Sequence, residues 1–271
     1  MMVFLEVNGD KCIECGVCSE ECPHRLIETS AGIPIAKADA EEYCMDCGHC
    51  VAVCPTGALT HRSMNPSSLT PLRRELLPNY EQVEHLLRSR RSVRSYEDKP
   101  VPVRQLEKII DVANHAPTGL NSQAVKWLVI KDRSEVKRFA SMAAEYLRSM
   151  ITDNPERARA INAAKWVGNW DAGVDSITWG APHVVVAYAD DARWDWEAQI
   201  ALTFLDLAAY SAGLGSCWGG LFTIAARSSE PMFAALGILE GSIPLGAMMI
   251  GYSKNEFHGI PQRRKYEVLW R

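Results

Sequence analysis

The chain has 271 residues, 47% of them apolar and 23% charged, with a formal net charge of −4. That length leaves room for a domain of ordinary size plus a small module, and the composition is that of a globular chain, not a disordered one. The charge balance offers no general attraction for a nucleic acid. No apolar run approaches the ~18 residues of a membrane span, and cysteines follow the N-terminus too soon for a secretory signal, so the expected location is the cytoplasm.

Eight of the nine cysteines fall before residue 55 in two groups: Cys12, Cys15, Cys18 and Cys22, then Cys44, Cys47, Cys50 and Cys54. Both groups read C-x2-C-x2-C-x3-C-P, ending on Pro23 and Pro55, with Gly16 and Gly48 after the second cysteine. The copies lie 32 positions apart, an internal repeat and not a scattered disulfide framework. Four iron atoms each need one soft thiolate, and three cysteines at this spacing can wrap one cubane. The fourth, after a turn, reaches the cluster of the other half. The expected sets are therefore Cys12, Cys15, Cys18 with Cys54, and Cys44, Cys47, Cys50 with Cys22. Structural zinc also takes four thiolates, but the doubled four-cysteine run with trailing prolines points to two [4Fe-4S] clusters. Over about residues 3–62 the chain resembles a bacterial-type two-cluster ferredoxin, which implies a pseudo-twofold fold of short hairpins and small helices.

Residues 63–79, with three prolines and several serines, read as a linker. The expected organisation is thus a cluster module at 1–62, a linker at 63–79 and a second domain at 80–271. In that domain Val83, Leu86 and Leu87 mark a short amphipathic helix, and Leu106, Ile109, Ile110 and Ala113 mark another over 102–113. Residues 126–131 read as a strand. A helix is predicted over 134–148 with Ser134 as its cap, and another over 155–167. Residues 183–189 form a buried-type strand. Residues 196–212 form a long helix, apolar around much of its surface, suited to a core or a subunit interface and ended by Gly213 and Gly215. A weaker helix over 228–238 and a strand over 246–252 complete an α+β domain with helices around one sheet. No dinucleotide-binding glycine motif and no P-loop is present.

Four segments carry candidate chemistry. Arg90, Arg91, Ser92 and Arg94 suit an anion such as a phosphate, or form a solvated basic surface. Pro117, Thr118, Asn121 and Gln123 place a hydroxyl and amides on a loop that could read a heterocycle or simply cap a turn. Gly215, Ser216, Trp218 and Gly219 allow a flat ligand close to the backbone, or form a tight turn. Arg263, Arg264 and Lys265 form a second basic cluster. In combination and order these segments resemble the nitroreductase family of FMN enzymes, over roughly residues 80–271.

The resemblance implies that Arg90, Arg91, Ser92 and Arg94 hold the FMN phosphate and pyrimidine side. It implies that Ala116, Pro117, Thr118, Asn121 and Gln123 form a loop lent by the partner subunit. Gly215, Ser216, Cys217, Trp218 and Gly219 would line the ring, and Arg264, with Arg263 as the nearby alternative, would clamp the phosphate. Gly251 and Tyr252 match the family's Gly-Tyr after the last core strand. The family is homodimeric, with the long helix in the interface and FMN shared between chains. Trp166, Trp170 and Trp179 fall where such enzymes vary the segment that covers the substrate, so they form either an aromatic lid or packing, with Trp218 a further pocket candidate. Cys217 is taken as packed near the flavin and not as a nucleophile.

The expected function is an FMN-dependent oxidoreductase wired through two [4Fe-4S] clusters. Its acceptor would be a small flat molecule such as a nitro compound, a quinone or an activated unsaturated bond. The donor is expected to be a ferredoxin or NAD(P)H, and no nucleic acid or membrane partner is expected. The competing reading is a non-catalytic iron–sulfur flavoprotein that carries electrons.

Overall fold

The computed structural model describes residues 4–271 and divides into two compact units. One runs up to Leu77 and includes Gly119–Ser122; the other comprises Pro78–Thr118 and Gln123–Arg271.

The first unit contains β1 (Leu5–Val7), α1 (Val17–Glu21), β2 (Ile27–Ser30), β3 (Ile33–Ala36), α2 (Ala40–Tyr43), α3 (His49–Ala52) and β4 (Leu59–His61). Its strands pair across the repeat, β1 antiparallel with β4 and β2 antiparallel with β3. The repeat is also visible in the backbone. Gly16 and Gly48 open α1 and α3 at φ 74° and 71°, a left-handed conformation that glycine adopts without a Cβ penalty. Glu14 and Asp46, again 32 positions apart, are left-handed too. A small core of Cys18, Ile27, Val51 and Leu59 lies beneath the cysteine turns. The proline-rich stretch is not a bare tether. Met64 and Leu69 pack on this core, and Asn65 and Ser68 cap a short 3-10 turn reciprocally.

The second unit contains α4 (Tyr80–Ser89), α5 (Val103–Ala113), β5 (Lys126–Ile130), α6 (Arg133–Asp153), α7 (Pro155–Ala160), α8 (Ala163–Asp171), β6 (His183–Ala189), α9 (Asp195–Ser211), β7 (Gly215–Trp218), α10 (Gly220–Ser228), α11 (Glu230–Leu236) and β8 (Ile243–Gly251). The strand order is β5-β6-β8-β7, with antiparallel neighbours throughout. A parallel bridge from Ser92 to Ser216 along β7 makes the sheet mixed.

Strand alternation sends the two sheet faces into separate cores. Val184, Val186, Ala247 and Met249 face α6, α8, α10 and α11. Val185, Ala187, Met248 and Ile250 face α5 and α9. Leu245 breaks this parity. Ala187 pairs with Gly246 but Tyr188 with Pro244, so Leu245 is the extra residue of a bulge and turns into the α5–α9 core.

Several predicted elements differ in detail. Ser134 does not cap α6: the helix begins at Arg133, after Asp132, with no side-chain cap bond, and continues to Asp153 because Leu147 and Met150 are still buried. The expected helix over 155–167 is two helices, broken where Asn162 turns left-handed at φ 55°. Gly213 ends α9 at φ 74°, but Gly215 begins β7. The weak helix over 228–238 is α11, preceded by α10, which the glycine pair Gly219–Gly220 conceals in the sequence. Among the described residues no helix is long and apolar enough to cross a membrane.

Candidate functional site

The eight cysteines collect into two hollows of the first unit, in crossed sets. Cys12, Cys15, Cys18 and Cys54 line one, with Gly16, Thr56 and Ala58. Cys22, Cys44, Cys47 and Cys50 line the other, with Gly48, Phe4 and His61. The fourth cysteine of each run receives the same backbone bond: Leu26 N–H donates to Cys22 Sγ at 3.3 Å, and Ala58 N–H to Cys54 Sγ at 3.3 Å. Donors of this kind offset the negative charge of a thiolate or of a group bound to it. Burial pushes the Cys50 thiol up to about 11 and raises Cys18 and Cys44. Burial also acts to raise Cys54, but the Ala58 and Thr56 donors outweigh it and hold that thiol below its ordinary value. Loading a metal group must therefore expel protons from Cys18, Cys44 and Cys50.

The second hollow has a polar wall that the motif does not announce. His61 is buried, and its Nε2 lies 3.5 Å from Cys44 Sγ and 3.6 Å from Asp46 Oδ1. Arg62 donates to both carboxylate oxygens of Asp46, at 3.1 and 3.2 Å. Cys44, Asp46 and His61 are the one trio of potential metal ligands within 4.8 Å of one another among the described residues.

In the second unit the arginine segment lies along β7. Val93 N–H donates to Ser216 O at 2.8 Å, continuing the Ser92–Ser216 bridge. Gly215 permits this approach, since a Cβ there would strike the Val93 side chain at 2.6 Å. Arg90 pairs with buried Asp206 at 3.3 Å, and Ser216 Oγ donates to the same carboxylate. Burial pushes the Asp206 carboxyl above its ordinary value despite both partners. Arg91 donates from Nη2 to Arg88 O at 2.9 Å, while its buried Nε has no partner. Arg91 lines an open cavity with His85, Ser89, Tyr210, Gly215 and His258. A guanidinium, two imidazoles and two hydroxyls around one cavity are chemistry suited to an anion.

Arg94 sits beside Cys217 and over the Trp179 ring, 5.7 Å from its centroid. Burial raises the Cys217 thiol, which accords with a packed residue and not a nucleophile. Asp175 fixes the turn that carries Trp179, accepting from Ile177, Thr178 and Gly180 N–H groups. Trp166 meets Trp179 edge to face at 6.5 Å and donates its indole N–H to Ile161 O. Trp166, Trp170 and Trp179 all pack on the α6–α10 core. Trp218 is exposed, next to buried Gly219 at the entrance to α10.

The loop residues are split. Thr118 and Gln123 line a small hollow with Asn114 and Ala201, and Gln123 N–H donates to Thr118 Oγ1 at 3.1 Å. Pro117 is exposed. Asn121 is not a wall of that hollow; its amide donates to Met45 O at 3.0 Å within the first unit. Arg263 and Arg264 lie exposed in the segment after β8 and do not line the Arg91 cavity. Tyr252 donates to Gln105 Oε1 at 3.1 Å, and Gly251 packs where a Cβ would meet Pro182 and Tyr96. The residues that sequence reasoning missed are His61, Asp46, Arg62, Asp175 and Asp206. Only the buried charge of Asp206 in an apolar helix was a visible signal.

A model of the 4Fe-4S dicluster domain matches residues 11–58, and the model of the nitroreductase family matches residues 87–252. A provisionally named NADH dehydrogenase/NAD(P)H nitroreductase from Methanothermobacter thermautotrophicus is 24% identical over 166 residues, 61% of this chain and 74% of the relative. A nitroreductase with bound FMN from Desulfitobacterium hafniense DCB-2 has the same fold, with a TM-score of 0.56 at 21% identity over 71% of this chain and 100% of that one. Another, from Bacteroides fragilis NCTC 9343, gives a TM-score of 0.54 at 19% identity over 70% and 96%.

Proposed function

The chain belongs to the nitroreductase family and carries a 4Fe-4S dicluster domain, and from that premise we propose an FMN-dependent oxidoreductase that exchanges electrons through two [4Fe-4S] clusters and reduces a small flat acceptor. The observation that carries this reading is the gathering of eight cysteines into two hollows, four in each, in crossed sets. Zinc would draw four sulfurs onto one ion at about 2.3 Å each, leaving them about 4 Å apart. Neither cysteine set contains three sulfurs within 4.8 Å of one another among the described residues. Two sets of four thiolates suit two cubanes, each of which takes one thiolate at each iron.

The second unit fits a phosphate-bearing flavin. The Arg91 guanidinium, the imidazoles of His85 and His258, and the hydroxyls of Ser89 and Tyr210 suit the phosphate. Arg90, Ser92, Arg94, Gly215, Ser216, Trp218 and Gly219 complete the proposed cradle, with Asp206 holding Arg90 and Ser216 in place. Pro117, Thr118, Asn121, Gln123, Arg263 and Arg264 are proposed contributors from the loop and the C-terminal segment, which a second copy of the chain would complete. Bound FMN supplies hydride and single-electron chemistry. The chain's own task is to bind it, to face its polar edge with the Arg94 cation and the positive end of α10, and to shield it with Trp166, Trp170 and Trp218.

A homodimer accords with the apolar surface left open. Trp196 is 81% exposed on α9, Ile200 is exposed beside it, and Tyr266, Leu269 and Trp270 are exposed near the C-terminus. The acceptor class is a nitro compound, a quinone or an activated unsaturated bond, and the donor a reduced ferredoxin or NAD(P)H. Anaerobic steady-state assays of reconstituted protein, run with each donor against each acceptor class, test the proposal. Turnover with reduced ferredoxin that requires the iron is expected. Undiminished NAD(P)H turnover after replacement of all eight cysteines would remove the clusters from the reaction.

A further inference from the structure

The two halves of the cluster module are copies, so each serves as a control for the other. Positions 61 and 62 correspond to 29 and 30 in the first half, through the same offset of 32 that relates the cysteines. There the residues are Thr29 and Ser30, both exposed on β2. In the second half they are buried His61 and half-buried Arg62. The asymmetry is chemical as well as positional, because His61 is aimed at a cysteine of the second set.

The direction of its proton follows from its neighbours. Ser63 N–H donates to His61 Nδ1 at 3.3 Å, and Ser63 Oγ lies 2.9 Å from the same atom. A ring nitrogen that accepts a backbone N–H carries no hydrogen, so the proton of the neutral imidazole is on Nε2. Nε2 is the atom 3.5 Å from Cys44 Sγ. Phe4 holds the ring edge to face at 4.9 Å, which fixes that aim. The nearby Asp46 carboxylate, which would oppose added negative charge, is paired with Arg62 on both oxygens.

We propose that His61 is a tuning residue, whose Nε2–H donates to Cys44 Sγ and makes the cluster of Cys22, Cys44, Cys47 and Cys50 the higher-potential member of the pair. The inference rests on the cluster reading above. A reduced cluster holds one more electron and no bond is made or broken, so a donor to its sulfur favours the reduced state. The side-chain partner on the other set is the Thr56 hydroxyl, a longer contact at 3.7 Å from Cys54 Sγ, and Thr29 and Ser30 provide no imidazole or cation to the cluster of Cys12, Cys15, Cys18 and Cys54. An added electron therefore rests on the Cys44 side of the module.

The test is a dithionite titration of the reconstituted full chain, followed by low-temperature electron paramagnetic resonance, with iron and sulfide counted first. Wild type should show two unequal one-electron steps. His61→Thr, which installs the residue of the other half, should lower the upper step about tenfold in electron partition, or about 59 mV, and leave the lower step in place. His61→Gln, whose amide N–H can take the place of Nε2–H, should restore much of the upper step. An iron count near zero in wild type would overturn the cluster reading itself. With both clusters present, His61→Thr steps that stay put, move together, or shift only at the lower potential would overturn the role of His61. If His61→Thr does not load iron, His61→Leu, which also lacks the donor, takes its place, and an upper step that stays at the wild-type potential there would do the same.

Discussion

Replacing Asp206 strips the proposed flavin cradle of the group that holds two of its members. The residue is 5% exposed, receives the Ser216 hydroxyl and pairs with Arg90 at 3.3 Å. At that distance and an effective dielectric of about 20, the attraction is about 5 kcal/mol before desolvation. Burial takes back several kcal/mol, which is why the carboxyl lies above its ordinary value even with both partners. The pair is thus no large source of stability against a well-packed apolar alternative, yet breaking it is costly. Asp206→Ala loses a charged hydrogen bond worth about 1.5–3 kcal/mol and leaves Arg90 without its partner. The Arg90 side chain is 22% exposed and can turn toward water, so the total should be about 3 kcal/mol, the lower end for truncating a buried pair. Asp206→Asn keeps an acceptor for Ser216 and should cost about half as much. Urea denaturation followed by tryptophan fluorescence reads both, as midpoint shifts at unchanged slope. FMN affinity should fall in the same order. An Asp206→Ala protein within about 0.5 kcal/mol of wild type, binding FMN normally, would show that Asp206 does not hold Arg90 and Ser216 in place.

Other expectations follow from single contacts. His183 is buried, accepts from Val101 N–H at 2.8 Å through Nε2, and is held below its ordinary value of 6.5, chiefly by burial. Both states are neutral well above pH 6.5; as pH falls below it, the unfolded chain takes up a proton that the folded one resists. Stability of the second unit should therefore decline from pH 7.5 to pH 5, with a shallower slope in His183→Gln, and pH-independent melts of wild type would contradict this. Cys22→Ser should disturb only the resonance of the cluster held by Cys44, Cys47 and Cys50, and Cys54→Ser only the other; equal damage to both signals by either change would exclude the crossed sets. Trp196→Glu combined with Ile200→Glu should convert a dimer to a monomer in sedimentation velocity and weaken FMN binding, while an unchanged sedimentation coefficient would place the interface elsewhere.

The sequence exposes those parts of the molecule whose partners are near in the chain or whose spacing is itself the signal. The cysteine runs are legible because each ligand position is set by local turns. The strands β6 and β8 are legible because buried strands are apolar runs, and β5 because Trp127, Leu128, Val129 and Ile130 form a short apolar run. β7 is only four residues, GSCW, opened by Gly215 and followed by Gly219, so it reads as a turn until Val93 and β8 pair with it. α10 hides behind Gly219 and Gly220. α6 outruns its predicted end because tertiary burial of Leu147 and Met150 extends it. Asp206 and His61 matter through residues distant in sequence: Arg90 and Ser216 for the first, Cys44 for the second. No periodicity records such contacts. The Thr118–Gln123 loop looks continuous as a motif, yet Asn121 is tied to Met45 while its neighbours line a different hollow.

Stopped-flow reduction of bound FMN tests whether the proposed clusters and flavin form one electron path. A low-potential one-electron donor would be mixed anaerobically with protein carrying both clusters and FMN, and with FMN-loaded protein stripped of iron by a chelator. Flavin bleaching that is fast in the first and collapses in the second is the predicted result. Equal rates in the two preparations, with the flavin equally bound, would contradict the account.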